Sequence, residues 1–144
     1  MKSAVHLTGF KNLSGVISKE SIMAEPTAKV VHYSDVPAQI FGDTAPGASI
    51  RWLIDDDRDG APVYALRMVE IEPGGNSPQH SHPYEHENFV VQGTGRLLIE
   101  ETWYDLKEGD VAFVPAGILH QYVNAGETTF KFLCGIPVKK LREE

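Results

Sequence analysis

From residue 29 onward the chain is written in short pieces that only a β architecture uses well. KVVHY, SIRWLI, VYALRMVEIE, ENFVVQ, GRLLIEE, TWYDL, DVAFV, HQYVN and TTFKFLCGI are rich in β-branched and aromatic residues, with Pro, Gly or Asp/Asn clusters between many of them. Beyond residue 45 no stretch repeats apolar residues at a helical period. Short strands with frequent turns predict an all-β, antiparallel sandwich or small barrel. VPAQIFG reads as a short helical turn, and nothing repeats internally.

At 144 residues the chain has the length of one domain with one core. Residues 1–28 carry the weakest pattern and read as an N-terminal arm, leaving 29–144 for the barrel. Thirteen Lys and Arg against 20 Asp and Glu give a net charge of -7. That balance opposes a phosphate backbone or an anionic membrane and leaves no basic stripe, so neither nucleic acid nor membrane is an expected partner. No run approaches the ~18 apolar residues of a membrane span. The single cysteine, Cys134, has no internal disulfide partner, and the first residues show no signal-peptide core. A cytoplasmic location is the expectation.

The stretch HSHPYEH, His80 to His86, puts three of the six histidines within seven residues. Residues two apart on a strand share a face, so His80 and His82 can converge on one ion. A straight strand would carry His86 about 13 Å past His82, whereas metal–nitrogen bonds of about 2.1 Å need nitrogens about 3 Å apart. The chain must therefore bend between them, and Pro83 is a plausible cause because it cannot donate to a sheet ladder. Spacing alone leaves open incidental histidines in a polar loop.

The downstream stretch GDVAFVPAGILHQYVN, Gly109 to Asn124, changes that balance. With it the chain resembles the cupin superfamily, the double-stranded β-helix proteins. Gly74, His80, His82 and Gly93 fit the family's first motif, G(X)5HXH(X)3-4E(X)6G; Gly109, Pro115, Gly117, His120 and Asn124 fit every fixed position of its second, G(X)5PXG(X)2H(X)3N. One position departs. Counted from His82 or back from Gly93, His86 stands where most members carry glutamate, which is similar to the four-histidine subclass; Glu87 is the alternative ligand at the longer spacing. The resemblance implies a jelly-roll barrel holding one divalent transition metal, Mn, Fe, Ni, Cu or Zn, on His80, His82, His86 and His120. Four neutral imidazoles would leave the ion's charge uncompensated and favour an anionic or enolate-like oxygen ligand. The resemblance also implies a homodimer that exchanges N-terminal strands, with SIRWLIDDD and the arm as the exchanged parts and Ile50, Trp52 and Ile54 at the interface.

Other features have plainer readings. DDDRDG begins like a calcium loop, but its twelfth position is Leu66 where a bidentate glutamate is required, so a solvated hairpin turn is expected. Phe130, Phe132 and Cys134 share one strand face, placing the thiol in the core, with a pocket role beside the metal as the sharper alternative. His6 and His32 are expected to be ordinary exposed residues. For function, the first expectation is a metal-dependent, dioxygenase-like oxidoreductase acting on a small oxygenated substrate, with Glu87 as general base and Tyr84 or Tyr122 as hydrogen-bond donor. A non-catalytic small-molecule binding or sensing module, and a metal-dependent isomerase or lyase, are the alternatives.

Overall fold

Period-two alternation builds the barrel. In the computed structural model, which describes residues 24–142, strand β9 (Phe130–Pro137) buries Phe130, Phe132, Cys134 and Ile136 and turns the residues between them away from the core. Strand β4 (His86–Gln92) likewise buries His86, Asn88 and Val90 and turns out Glu87, Phe89 and Val91. The remaining strands are β1 (Ala38–Ile40), β2 (Ala48–Ile54), β3 (Tyr64–Ile71), β5 (Gly95–Ile99), β6 (Thr102–Leu106), β7 (Val111–Val114) and β8 (His120–Val123). They form a six-stranded sheet in the order β1-β2-β3-β9-β4-β7 and a three-stranded sheet β6-β5-β8, all pairings antiparallel. The two inner faces meet in a core of Val69, Ile71, Val90, Leu97, Val114, Tyr122, Phe130, Phe132 and Ile136. The fold is the all-β antiparallel architecture that the sequence pattern predicts, in the jelly-roll form that the resemblance implies.

The turn glycines of the two motifs have local reasons. Gly117 sits at φ 80° and its N–H donates to the His82 carbonyl at 2.8 Å, so a left-handed turn clips the second motif onto the first. A Cβ at Gly95 would collide with the Phe130 ring, which fills the space a side chain would need. Asn124, fully buried, donates to the carbonyls of Ile71 and Thr128, both at 2.8 Å, and accepts from Gly126 N–H at 2.9 Å. This motif residue is therefore a splice between loops, where a truncation would orphan several backbone groups.

Three local expectations are corrected. KVVHY pairs with no strand among the described residues: Lys29 bridges to Asp59 at 2.9 Å, and the His32 side chain caps a 3-10 turn, Tyr33–Asp35. VPAQIFG is not a helical turn; its Ala38–Ile40 segment pairs with β2 and satisfies the open N–H and C=O groups along that strand's edge, and only its last residue, Gly42, enters a 3-10 turn, Gly42–Thr44. DDDRDG is not a hairpin, and only Asp57 and Arg58 of it are exposed. It forms one helical turn, α1 (Asp56–Asp59), capped by the Asp55 carboxylate, which accepts from Arg58 N–H at 2.8 Å, and closed by Gly60 at φ 70°. Asp55 and Asp56 are buried. Side-chain capping by Asp satisfies the orphan N–H groups of the turn and outweighs the repulsion within the run. A second short turn, α2 (Lys139–Arg142), follows β9.

Within the single chain, Ile50 and Trp52 pack against its own core and β2 pairs with β3. Most of the arm, including His6, lies outside the described residues; Thr27 N–H donates to the Asp59 carbonyl. Among the described residues no helix is long and apolar enough to cross a membrane.

Candidate metal centre

The backbone brings the two motifs together before any side chain is considered. His80 and His120 form a reciprocal antiparallel bridge, His80 N–H to His120 carbonyl at 3.1 Å and the reverse at 2.9 Å. His86 then enters from the start of β4, on the six-stranded sheet, after the chain turns through Pro83. Between Gln79 and Glu85 no residue belongs to a named strand. That break supplies the bend which the spacing demands.

His80, His82 and His120 form a group whose ring nitrogens lie within 4.8 Å of one another, close enough to hold one metal ion. His86 stands outside that trio but touches it. Its Nε2 is 2.8 Å from His82 Nε2, and its ring packs edge-on against both His82 and His120 at 4.6 and 4.9 Å between centroids. His80 makes the equivalent contacts with the same two rings at 5.1 and 5.0 Å.

Hydrogen bonds fix which nitrogen is available. His82 Nδ1 lies 2.8 Å from the Tyr84 carbonyl, and His120 Nδ1 lies 2.8 Å from the Ile118 carbonyl. A carbonyl only accepts, so both Nδ1 atoms carry the proton and both Nε2 atoms present bare lone pairs. The Nε2 of His120 is buried and has no hydrogen-bond partner among the described residues. A buried lone pair without a partner is unfavourable unless a cation takes it. All four rings are also held neutral. Burial lowers the pKa of His82 to about 4 and that of His86 to about 2, with the neighbouring charges of His120 and Arg67 acting in the same direction. His80 and His120 are lowered too, again chiefly by burial. Neutral imidazole is the ligating form, and several converging imidazoles suit a borderline transition ion better than a hard oxygen-seeking one. The residues present therefore fit such a metal.

The other sequence candidates are placed differently. Tyr84 stacks on His82 with centroids 3.9 Å apart and planes 10° from parallel, so it braces the site. Tyr122 lies inside the barrel, but its hydroxyl donates to Asn88 Oδ1 at 2.6 Å and is occupied there. Glu87, expected beside the ion, faces the outside of the sheet, because neighbouring residues on a strand point to opposite faces. It lines an outer recess with Ile54, Tyr64, Leu66 and Glu85. Burial and the adjacent Glu85 raise its pKa to about 7.

Two residues escaped the sequence reading. Arg67 Nη2 lies 3.2 Å from His86 Nδ1 and 2.9 Å from Cys134 Sγ, and the guanidinium sits over the Trp52 ring at 5.4 Å. Asn88 links Tyr122 to the same cluster. Arg67 carried a usable signal: at the centre of VYALRMVEIE it shares a face with Ala65, Val69 and Ile71, and a charge on a core face is rarely incidental.

A family model described as a cupin domain matches residues 67–136. Among solved structures, the polyketide cyclase RemF from Streptomyces resistomycificus is 32% identical with a TM-score of 0.71, covering 78% of this chain and 81% of its own. A cupin-2 domain protein from Rhodospirillum rubrum, at 18% identity and a TM-score of 0.69 over 84% of this chain and 80% of its own, shares the fold. The auxin-binding protein ABP19b of Prunus persica is 41% identical over 70 residues, 44% of this chain and 34% of that protein. The chain thus spans only about a third of the length of the curated relatives it first matches.

Proposed function

This chain belongs to the cupin superfamily, and from that premise we propose that it is a metal-dependent enzyme acting on a small, oxygen-rich, enolisable substrate at a centre formed by His80, His82, His86 and His120. The observation that carries the reading is the buried, unpartnered Nε2 of His120 facing the other imidazoles. A divalent transition metal, Mn, Fe, Ni, Cu or Zn, would supply Lewis acidity and, where the ion is redox-active, electron transfer.

The residues of the chain hold and orient. Tyr84 and Ile118 carbonyls fix two ring tautomers, and the Tyr84 ring limits rotation of His82. His80 is exposed, so the site opens to solvent on its side. The charged side chain felt by all four histidines is cationic, Arg67, which supports an anionic substrate oxygen such as an enolate or phenolate.

Two chemistries fit that substrate. Non-redox Lewis-acid chemistry, of the isomerase or lyase kind and extending to ring closure, is supported by the likeness to a polyketide cyclase. Dioxygenase-type oxidation is the second reading, supported by a set of neutral imidazoles that also suits redox-active ions. The test loads the protein separately with Zn and Fe and supplies small diketones, catechols and poly-β-carbonyl compounds with and without dioxygen. Zn-dependent, oxygen-independent conversion to an isomer or dehydrated product supports the first chemistry. Oxygen uptake that follows the metal supports the second. Stoichiometric binding with no conversion of any substrate would overturn both and leave a binding module.

A further inference from the structure

His82 and His120 each rest Nδ1 on a backbone carbonyl, an acceptor that cannot change roles. His86 has no such carbonyl. Its Nδ1 faces two atoms only nominally alike: Arg67 Nη2 at 3.2 Å and Cys134 Sγ at 2.8 Å. A guanidinium donates and never accepts, so acting alone it would draw the Nδ1 lone pair and leave the proton on Nε2. That tautomer points N–H at the other imidazoles and blocks ligation. Among the described residues, the Cys134 sulfur is the acceptor in reach.

The sulfur is itself held from three sides. Arg67 Nη2 donates to it at 2.9 Å, closer than to the imidazole. Asn88 is its direct cross-strand partner on β4, with the side-chain amide acting on the thiol as a hydrogen-bonding neighbour. The orientation of that amide is set from behind, because Tyr122 O–H donates to Asn88 Oδ1 at 2.6 Å and so turns the NH2 group towards Cys134 and the Leu133 carbonyl. Contacts this short to a sulfur atom are attractive when the nitrogens donate to it and repulsive when they do not. Cys134 thus collects donors in a buried place where none of its partners is a carboxylate.

We propose that Cys134 is a positioning residue of the metal centre: its sulfur, clamped by Arg67 and Asn88, accepts the Nδ1 proton of His86 and frees the Nε2 lone pair of that ring for the ion. This inference rests on the four-imidazole reading above. In the metal-free chain the facing Nε2 atoms of His82 and His86, 2.8 Å apart, share one proton, since His82 has none to give. Occupation by a metal removes that proton from between them, and the Nδ1 proton of His86 then needs the sulfur. No atom is oxidised or transferred to substrate; only the resting place of a ring proton differs.

The test uses the full chain with 15N-labelled histidine, titrated with Zn2+, and reads ring tautomers from long-range proton–nitrogen spectra alongside zinc affinity from a competing chelator. In the unsubstituted protein zinc should give His86 the same Nδ1–H pattern as His82 and His120. In C134A that His86 pattern should be lost, with zinc affinity down ~10- to 100-fold, the usual effect of removing a hydrogen-bond partner of a ligand. C134S, which keeps an acceptor, should recover most of both. Unchanged His86 tautomer and affinity in folded C134A would overturn the proposal while leaving the metal site intact. If C134A does not fold, wild-type affinity with a lost Nδ1–H signal in C134S would overturn it equally. Absence of any zinc binding by the unsubstituted protein is a different failure, and it falls on the four-imidazole reading.

Discussion

The same strands build two unlike halves of the barrel interior. Running inward along β4 the inward-facing side chains are His86, Asn88 and Val90; along β3 they are the half-buried Arg67, then Val69 and Ile71; along β9 in reverse, Cys134, Phe132 and Phe130. One half is polar and held by directional contacts, and the other is apolar and held by packing. Tyr122 lies at the junction, stacking on Phe132 at 4.5 Å while donating to Asn88. The comparison teaches that stability and site chemistry are separable here: the packed half supplies the fold, so the polar half can carry neutral histidines, a buried thiol and an arginine.

The largest expected effect breaks the packed half. Phe132→Ala removes a fully buried ring and should destabilise the chain by about 3–5 kcal/mol in denaturant unfolding. The folded fraction should still take up zinc, and a loss under about 1 kcal/mol would show that the aromatic half does not carry the fold. Next, His86→Ala should lower metal affinity by more than the ~10- to 100-fold typical of second-sphere changes, with stability of the metal-free chain little affected. Metal retained through dialysis at wild-type level would remove His86 from the site.

Acid should act inside the barrel on the polar half, with Glu87 on the outer face opposing it. His82 and His86 have pKa values lowered to about 4 and about 2, against about 6.5 when unfolded. As pH falls from about 6.5 towards 4, the unfolded chain binds protons that the folded chain refuses, so metal-free stability should fall across that window. Glu87, raised to about 7, works the other way, since its folded form accepts a proton before its unfolded form does. Melting temperatures flat between pH 7 and 4 would contradict the neutral-histidine half. The smallest effect sharpens the contrast between the faces of β4. Glu87→Gln should raise stability slightly at pH 8, by about 0.5 kcal/mol at this exposed position, because it removes a carboxylate charge that burial and Glu85 disfavour, leave metal content intact, and steepen the acid loss by removing the opposing carboxyl. Loss of metal in this variant would instead return Glu87 to the ligand set.

What the sequence made legible follows from the range of each interaction. Strands β2 to β9 were readable to within about two residues because alternation and turn glycines are local signals, and TWYDL coincides with β6. His80, His82 and His120 were legible as a group because their spacing is carried by two motifs. KVVHY and VPAQIFG were misread because their outcome depends on partners far along the chain: Asp59 for Lys29, and β2 for Ala38–Ile40. Arg67 and Asn88 were missed for a related reason. The charge of Arg67 on a core face was visible in its own segment, but its partners, like the role of Asn88, emerge only when β3, β4 and β9 lie side by side.

The reciprocal bridge between His80 and His120 also bears on how the chain reaches its native state. It closes a long loop that contains β4 to β7, and pairing of that kind brings a closure entropy that must be met before its contacts form. β topologies dominated by such pairings fold slowly, because distant segments must meet before either is rewarded. The imidazoles come together only at that meeting, so the ion's grip is available to the finished barrel and to no earlier species. A metal seated there behaves as a removable cross-link between the two sheets: it should slow unfolding far more than it hastens folding, and a chelator should release that brake.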